Sequence, residues 1–338
     1  MRIRVQYFQR KSSPTNFSLE RAFRTIRTAL PKDICVEVYN CRFHSRRIVR
    51  RILNIIGARF HQGDLNHIVG DVHYLALGMS KRRTVLTIHD CVCLKFNKGI
   101  HRILLRWFWY SLPVRSVAAV TVISEFTRDE VLKYTGCKFD IVHVIPDPVT
   151  IEFLPYPKNF NQECPVILQV GTSQHNKNIC RVAEALRGVP CHLEIIGRLT
   201  ELQRRALALN VISYREQWGL SDEQVLAKYQ ECDMVIFVSI YEGFGMPIIE
   251  ANAIGRPVVT SNIAPMSAVA GAAACLVDPF SPSSIREGVL RVINESNYCT
   301  YLITQGFQNI KRFHAEVVAA QYANLYRQLT EKIVKTIL

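Results

Sequence analysis

Short apolar runs alternate with helical patterns along the second half of the chain. Continuous Val, Ile and Leu runs such as "PVILQVG" (165–171) and "DMVIFVS" (233–239) lie between segments with helical spacing, such as "SDEQVLAKYQEC" (221–232). The further predicted strands are "HLEIIG", "NVISY" and "RPVVTS", and the further predicted helices are "ICRVAEALRG", "RLTELQRRALAL" and "PIIEANAIG". Strands that alternate with helices and are apolar throughout predict a parallel sheet covered on both faces.

The first half shows the same alternation less regularly. Its predicted strands are "RIRVQYF", "ICVEVYN", "LNHIVG", "TVLTIHD", "AAVTVIS" and "DIVHVIP", and its clearest helices are "SLERAFRTIRTAL" and "EFTRDEVLKYTG". Three prolines in "VIPDPVTIEFLP" (144–155) indicate an interdomain linker. We therefore expect two doubly wound α/β domains, residues 1–149 and 150–338, with ligands bound at their strand ends. The C-terminal stretch 297–329 is predicted to be helical with an interruption at Gly306, and its last helix to pack back toward the first domain.

The composition agrees with an ordered globular protein. The 338 residues are 49% apolar and 21% charged, and their number favours two domains. No apolar run approaches the roughly 20 residues that span a bilayer, and the first residues lack a signal-peptide pattern. The eleven cysteines are scattered, and the spacing of Cys91 and Cys93 fits neither a zinc ligand pair nor a redox motif. We expect a cytoplasmic protein with reduced cysteines.

The net charge of +14 is confined to the first half. Residues 1–150 hold 25 Lys and Arg against 11 Asp and Glu, whereas residues 151–338 hold 17 against 17. This asymmetry indicates an anionic partner for the first domain. "FHSRRIVRRILNIIGARF" (43–60) and "RILLRWFWYSLP" (102–113) combine basic, apolar and aromatic residues and could lie on an anionic membrane, or could be core helices with solvated basic faces. The chain has no helix-turn-helix or RNP-like signature, so we expect no nucleic-acid partner.

Two carboxylates flank a glycine-rich turn that precedes a predicted helix. In "YEGFGMPIIE" (241–250), Gly243 and Gly245 permit close approach of a ligand to the main chain, and the amides of Phe244, Gly245 and Met246 would point at it. Glu242 and Glu250 add acceptors suited to the hydroxyl groups of a sugar and a ribose. From spacing alone, the alternative is a solvated loop residue and an ordinary helical glutamate.

The surrounding residues resemble the E-x7-E signature region of the retaining glycosyltransferases of family 4. The resemblance covers "CDMVIFVSIYEGFGMPIIEANAIGRPVVTSN" almost completely and continues in "VILQVGTSQHNKNI", "LSDEQVLAKYQECD", "VISEFTRDEV" and "VIPDPV". It implies the GT-B fold, in which two doubly wound Rossmann-like domains face a central cleft. The nucleotide-diphosphate sugar, a co-substrate rather than a cofactor, would be held mainly by the second domain.

The same resemblance assigns roles to particular residues. Glu242 would lie beside the transferred sugar, Glu250 would bind the ribose, and Lys177 would neutralise the donor diphosphate as negative charge develops on it. The other donor-binding residues that it implies are Gly171, Thr172, Asn178, Gly243, Phe244, Gly245 and Met246, and Arg198 in "IIGRLT" is a separate candidate for a second cation beside the donor. Relatives often carry an arginine where this chain has Asn176, and a glutamate where it has Ala268.

Three residues of the first domain complete the predicted site. His89 in "TIHD" matches the family's histidine near the donor sugar, although a lone histidine after a strand is often structural. Asp71 and His73 in "GDVHYLAL" match a motif found in part of the family and would lie on the acceptor side, or would form only a local turn.

The function implied by the resemblance is metal-free, retaining transfer of a sugar. The donor would be UDP- or GDP-linked, and the acceptor a lipid-linked molecule or a saccharide in surface-polysaccharide assembly. The sequence has no Asp-x-Asp metal motif. The departures at Asn176 and Ala268 leave a second hypothesis open: a catalytically impaired nucleotide-sugar-binding protein or scaffold with the same fold.

Overall fold

The structure is a computed structural model that describes residues 2–11, 18–171 and 175–337. The chain divides into two compact units, one comprising Met1–Pro148 and Ala315–Leu338 and the other comprising Val149–His314. The final helix thus belongs to the first unit, whereas the expected division, 1–149 and 150–338, kept it in the second.

The first unit is built on a six-stranded parallel sheet in the order β2-β1-β3-β4-β5-β6. Its strands are β1 (Ile3–Gln9), β2 (Ile34–Asn40), β3 (Leu65–Ile68), β4 (Thr84–Ile88), β5 (Ala119–Val122) and β6 (Val142–Val144). Each of them coincides with a segment predicted as a strand, except that β1 extends one residue beyond its predicted end, to Gln9. The inner strands β3, β4 and β5 are buried along their whole length, although β3 carries the polar residues Asn66 and His67.

Helices cover both faces of this sheet. They are α1 (Ser18–Ala29), α2 (Ile48–Arg59), α3 (Val92–Phe96), α4 (Gly99–Leu105), α5 (Leu112–Arg115) and α6 (Glu125–Thr135), together with a π-helical stretch (Arg106–Ser111) and the C-terminal helix (Ala315–Ile337). One core contains Phe23 of α1 and Val318 of the C-terminal helix, and the opposite core contains Val114 of α5 and Val131 of α6.

A buried polar contact fixes the C-terminal helix to the first sheet. The two ring nitrogens of His67 on β3 lie 2.7 Å from the hydroxyl of Tyr326 and 2.7 Å from the hydroxyl of Thr87 on β4. Burial lowers the pKa of His67 to about 3, so the ring is neutral at physiological pH. These hydrogen bonds satisfy polar groups that would otherwise be costly to bury, and they explain why the last helix belongs to this unit.

The second unit contains another six-stranded parallel sheet, in the order β12-β11-β10-β7-β8-β9. Its strands are β7 (Val166–Val170), β8 (His192–Ile196), β9 (Tyr214–Gln217), β10 (Met234–Phe237), β11 (Val258–Ser261) and β12 (Cys275–Val277). The helices are α7 (Ile179–Ala185), α8 (Glu201–Leu209), α9 (Asp222–Glu231), α10 (Met246–Ile254), α11 (Met266–Ala270), α12 (Pro282–Asn294) and α13 (Ser296–Asn309), so that the C-terminal helix of the first unit is α14.

Three predictions about elements of the second unit were inaccurate. "NVISY" was predicted as a strand, but β9 begins only at its last residue, Tyr214, and the short strand β12 was not predicted. The helix α13 continues through Gly306 and ends at Asn309. Gly306 instead lets α13 approach α10, because a Cβ atom there would lie 3.1 Å from the Asn252 amide nitrogen.

None of the helices described in either unit is both long and apolar enough to cross a bilayer.

Candidate active site

The loops that carry the predicted donor-binding residues emerge from one edge of the second sheet. Strand β7 pairs in parallel with β10 on one side and with β8 on the other. The described residues that follow these strands, 171, 175–178, 197–198 and 238–245, therefore lie at the same carboxyl edge. This is the edge at which doubly wound sheets generally bind ligands.

The helix α10 begins at this edge, directly after the glycine-rich turn. Gly245 has a φ of 136° and precedes the first helical residue, Met246. The positive φ of Gly245 favours glycine, and an added Cβ there would lie 2.9 Å from Cδ1 of Ile248, whose side chain would have to shift. The Phe244 side chain packs edge-on against Phe313, with 5.6 Å between ring centroids. The turn is thereby anchored, and the positive end of the α10 dipole lies beside Glu242 and Gly243.

Lys177 and Glu242 form an ion pair between two of these loops. The Lys177 ammonium lies 2.7 Å from Oε1 of Glu242 and 5.1 Å from the centroid of the Phe237 ring. A Cβ at Gly171, whose φ is 81°, would lie 3.0 Å from Cε of Lys177. Gly171 therefore provides the space in which the lysine reaches Glu242. The structure brings these three predicted residues together.

Two asparagines hold the loops around this ion pair. Asn176 donates from its buried amide to the carbonyl oxygen of Tyr241 at 2.8 Å and to Oε1 of Glu242 at 3.4 Å. Asn178 donates to the carbonyl oxygens of Val238 at 2.9 Å and Pro279 at 2.7 Å. Both amide hydrogens of Asn178 are thus used within the protein, so its side chain connects loops. Its predicted contact with the donor stays a prediction.

Glu250 is buried inside α10 and is held by a tyrosine from the neighbouring helix α9. The hydroxyl of Tyr229 donates to Oε2 of Glu250 at 2.6 Å, and Glu250 is only 4% exposed. A short hydrogen bond to a carboxylate fixes the orientation of that carboxylate. Sequence reasoning missed Tyr229, because a tyrosine on the apolar side of a predicted helix carries no functional signal.

Of the remaining donor-side predictions, Arg198 follows β8 at the same edge. The guanidinium of Arg198 is exposed and stands 5.9 Å from the centroid of the exposed Trp218 ring. Thr172 lies outside the described residues. Ala268 is exposed on α11, and its carbonyl oxygen accepts a hydrogen bond of 3.2 Å from Arg312.

His89 follows β4 at the carboxyl edge of the first sheet and faces a buried acid. Its Nε2 atom lies 3.9 Å from Oδ1 of Asp147 and has no hydrogen-bond partner among the described residues. Burial lowers the pKa of His89 to about 3 and raises the pKa of Asp147 to about 7. At neutral pH the imidazole is therefore uncharged and can exchange hydrogen bonds with a hydroxyl group. The neighbouring Asp90 accepts from the amide of Val92 at 2.9 Å and orders its own loop.

Asp71 and His73 follow the adjacent strand β3 and are joined through one tryptophan. The indole of Trp109 donates to Oδ1 of Asp71 at 3.1 Å, and Nδ1 of His73 lies 3.0 Å from the carbonyl oxygen of Trp109. His73 is buried, which lowers its pKa, whereas the Asp71 side chain is 57% exposed. Of these two side chains, only that of Asp71 is exposed to solvent.

Two family models match successive parts of the chain. The model described as Glycosyltransferase Family 4 matches residues 11–153, and the model described as Glycosyl transferases group 1 matches residues 151–309. Together the two matches cover most of the chain and include all of the predicted donor-side and acceptor-side residues.

Individual proteins show the same likeness. The O-antigen chain mannosyltransferase B of Escherichia coli is 23% identical over 277 residues, which is 73% of this chain and 71% of that protein. The serotype-specific mannosyltransferase WbdA of the same species is 25% identical over 53% of this chain, and the match spans only 25% of that protein. The crystal structure of Anabaena Alr3699/HepE in complex with UDP and glucose superposes with a TM-score of 0.76 at 14% identity, covering 96% of this chain and all of that one.

Proposed function

This chain belongs to the family 4 glycosyltransferases and is a hexosyltransferase with the GT-B fold, and from that premise we propose the reaction that it catalyses. A hexose moves from a nucleoside-diphosphate sugar to a hydroxyl group of a lipid-linked or saccharide acceptor in surface-polysaccharide assembly. The anomeric configuration is retained, and neither a metal nor another cofactor takes part.

The observation that carries this proposal is the placement of Lys177 and Glu242 beside the amino end of α10. As the bond between the anomeric carbon and the phosphate oxygen breaks, negative charge develops on the leaving diphosphate. The Lys177 ammonium and the amides at the start of α10 are suited to stabilise it. Glu242, 2.7 Å from Lys177, is suited to orient the sugar and to stabilise positive charge on its ring. Glu250, fixed by Tyr229, would accept from the ribose hydroxyls.

The acceptor hydroxyl would attack the anomeric carbon on the face from which the diphosphate leaves. In this front-side route the new bond forms to the acceptor oxygen, and the proton of that hydroxyl passes to an oxygen of the leaving phosphate. No protein carboxylate forms a covalent intermediate. The neutral imidazole of His89 would hold a hydroxyl of the transferred sugar through Nε2, and its low pKa makes it unsuited to act as the general base at neutral pH.

A screen of donors tests this proposal directly. The full-length protein is mixed with UDP- and GDP-linked hexoses, including mannosyl donors because the relatives named above are mannosyltransferases. Thermal shift reports binding, and release of the nucleoside diphosphate reports turnover. We expect one donor to raise the melting temperature and to be hydrolysed or transferred, with Glu242→Ala abolishing turnover. Binding without turnover across acceptors would favour the impaired binding protein, and the absence of any binding would reject both.

Exposed apolar side chains on two adjacent segments of the first unit support an anionic membrane as a partner. These side chains are between 45% and 75% exposed, and we call the surface that they form the lipid face. Its residues are Ile48, Val49, Ile52, Ile56, Ile100, Ile103, Trp107 and Phe108. The segments contact each other through Arg51 of α2, whose guanidinium stands 5.0 Å from the Trp109 ring. The lipid face therefore lies next to Asp71, the candidate acceptor-side residue that Trp109 binds.

Basic residues border this surface, which suits anionic rather than neutral lipid. Arg46, Arg47, Arg50, Arg102 and Arg106 are all exposed. Near an anionic bilayer each would contribute about 1 kcal/mol, while the apolar side chains enter the interface. A protein held there would meet a lipid-linked acceptor at the cytoplasmic face of the membrane.

Sedimentation with vesicles tests this partner. We expect binding to vesicles containing phosphatidylglycerol, weaker binding to phosphatidylcholine vesicles, and release by salt. Ile52→Asp with Ile56→Asp should lower binding at least tenfold. The matched control is Leu209→Asp in the second unit, where the leucine is 76% exposed, and it should bind like the unmodified protein. Equal loss in both variants would contradict a specific lipid face.

A further inference from the structure

A cavity of about 710 Å³ lies at the edge of the first sheet opposite to the candidate active site. Its wall includes residues 81–82, 117–118 and 141, which directly precede β4, β5 and β6. Because these neighbouring strands are parallel, the cavity is at their amino ends. His89 follows β4 at the carboxyl edge, so the cavity is separate from the site that the transfer reaction would use.

The cavity has a strongly cationic wall. Five basic side chains from four segments of the unit line it: Lys81, Arg82, Arg115, Lys138 and Lys332. Among the described residues that line it, none is acidic and none is aromatic. The concentration of like charge around one cavity attracts an anion electrostatically.

The floor of the same cavity is aliphatic. Val117 and Leu329 are buried, and Ile141 is half-buried. A cationic rim over an aliphatic floor matches a ligand that has an anionic head and an apolar chain. A nucleotide is a poorer match, because the described wall offers no aromatic ring for the base and no carboxylate for the ribose.

One contact connects the cavity with the lipid face. The guanidinium carbon of Arg115 lies 5.5 Å from the centroid of the Trp107 ring, and Trp107 belongs to that face. A lipid taken from an adjoining membrane would thus enter the protein beside residues already suited to the interface. The volume lies within the range of about 300–1,000 Å³ that is usual for small-molecule sites.

We propose that this cavity binds a phosphate-bearing lipid, with the phosphate among the five basic side chains and part of the apolar chain on the aliphatic floor. The helix α14 supplies Leu329, Lys332 and Ile333 to the wall, so the ligand also joins this helix to the segments before β4, β5 and β6. A bound lipid therefore stabilises the docking of α14 on the first sheet. This binding is separate from the proposed transfer reaction.

Short-chain lipids below their micelle concentration provide the test, because no bilayer is then present. The full-length protein is titrated with dihexanoyl phosphatidic acid, dihexanoyl phosphatidylcholine and inorganic phosphate, with calorimetry and thermal shift as readouts. We expect saturable binding of one phosphatidic acid per chain and a raised melting temperature. Phosphatidylcholine and phosphate should bind at least tenfold more weakly, since the choline of the first cancels the negative charge of its phosphate and the second has no apolar chain.

Charge reversal assigns the site. Lys138→Glu with Lys332→Glu should weaken binding of phosphatidic acid at least tenfold, whereas Lys335→Glu, an exposed position on the same helix outside the cavity wall, should not. Ile52→Asp, which alters only the lipid face, should also leave this binding unchanged. Equal affinity for the two lipids, phosphate binding as tightly as phosphatidic acid, or equal loss in the Lys335→Glu control would each overturn the proposal. No donor sugar is present, so failure here leaves the proposed transfer reaction untouched.

Discussion

The Nζ atom of Lys177 lies 2.7 Å from Oε1 of Glu242, so the cation proposed to meet the donor diphosphate is paired with the carboxylate proposed to meet the sugar. Both side chains are only partly exposed, at 19% and 16%. Without a donor, each group thus compensates the charge of the other. A bound diphosphate would compete with Glu242 for the lysine, and the carboxylate would be released toward the sugar.

This pairing predicts opposite effects on binding and turnover when Glu242 is replaced by glutamine. Loss of the negative charge frees Lys177, so the affinity for the nucleoside diphosphate alone should stay the same or rise. Turnover should fall on the order of 10²-fold, because the developing positive charge on the sugar loses its stabilising partner. Calorimetry with UDP or GDP and an assay of released nucleotide measure the two quantities. Lys177→Met is the comparison and should lower both the affinity for the diphosphate and the turnover. Weaker diphosphate binding by Glu242→Gln would contradict the idea that Glu242 and the diphosphate compete for Lys177.

Asn176 is predicted to be a structural support of the Glu242 loop rather than a gap left by a missing arginine. Asn176→Ala removes the hydrogen bond to the Tyr241 carbonyl oxygen and should cost about 1–3 kcal/mol of unfolding free energy, with lower turnover. Asn176→Arg, which restores the residue common in relatives, should also destabilise the protein because the position is only 4% exposed. Denaturant unfolding and turnover provide the measurements. If the Asn176→Arg variant is as stable as the unmodified protein and more active, Asn176 is not a structural support and the site lacks a functional arginine.

Tyr229→Phe should weaken nucleotide binding without altering the chemical step. The variant loses the 2.6 Å hydrogen bond that orients Glu250 but retains the packing of the ring. We expect the KM for the donor to rise about 3- to 10-fold, which corresponds to the net contribution of one ordinary hydrogen bond, with kcat within twofold. Tyr214→Phe on β9 removes a hydroxyl elsewhere in the same unit and serves as the control. A drop in kcat with an unchanged KM would indicate that Glu250 acts in the transition state instead.

The buried acid Asp147 should make stability fall as the pH rises. Its pKa is raised by burial from 3.8 to about 7, so between these values the folded protein holds a proton that the unfolded chain has lost. His89 has the opposite effect on stability. Its pKa is lowered from 6.5 to about 3, so between these values the unfolded chain holds a proton that the folded protein lacks, and stability rises with pH. Comparing Asp147→Asn with the unmodified protein isolates the acid. The variant should gain about 2–4 kcal/mol relative to the unmodified protein between pH 4 and pH 8.

Melting curves at pH 5, 6, 7 and 8 measure this difference, and an Asp140→Asn variant of the same unit, whose carboxylate is exposed, is the control. The gap between Asp147→Asn and the unmodified protein should widen at each step and should be absent for the control. A constant gap across the series would mean that Asp147 is ionised in the folded protein.

Most strands of the two parallel sheets were predictable from the sequence, because buried parallel strands are rich in Val, Ile and Leu. All six strands of the first unit and most strands of the second were predictable on that ground. The turn before α10 was predictable from its glycines, and the structure gives Gly245 a φ of 136°. The shifted strand β9 was not, since Tyr214–Gln217 is polar and belongs to the edge of its sheet. At an edge, hydrogen bonding to one neighbour rather than apolar burial defines the strand.

Only the tertiary structure decided which side chains meet. Lys177 and Glu242 are 65 positions apart, Tyr229 and Glu250 are 21 apart, and His67 and Tyr326 are 259 apart, and no local pattern encodes such contacts. The gathering of five basic residues at the amino ends of β4, β5 and β6 likewise depends on strand order. Hydrophobic periodicity specifies which face of an element is buried, whereas the partner that buries it is selected by packing of the whole chain.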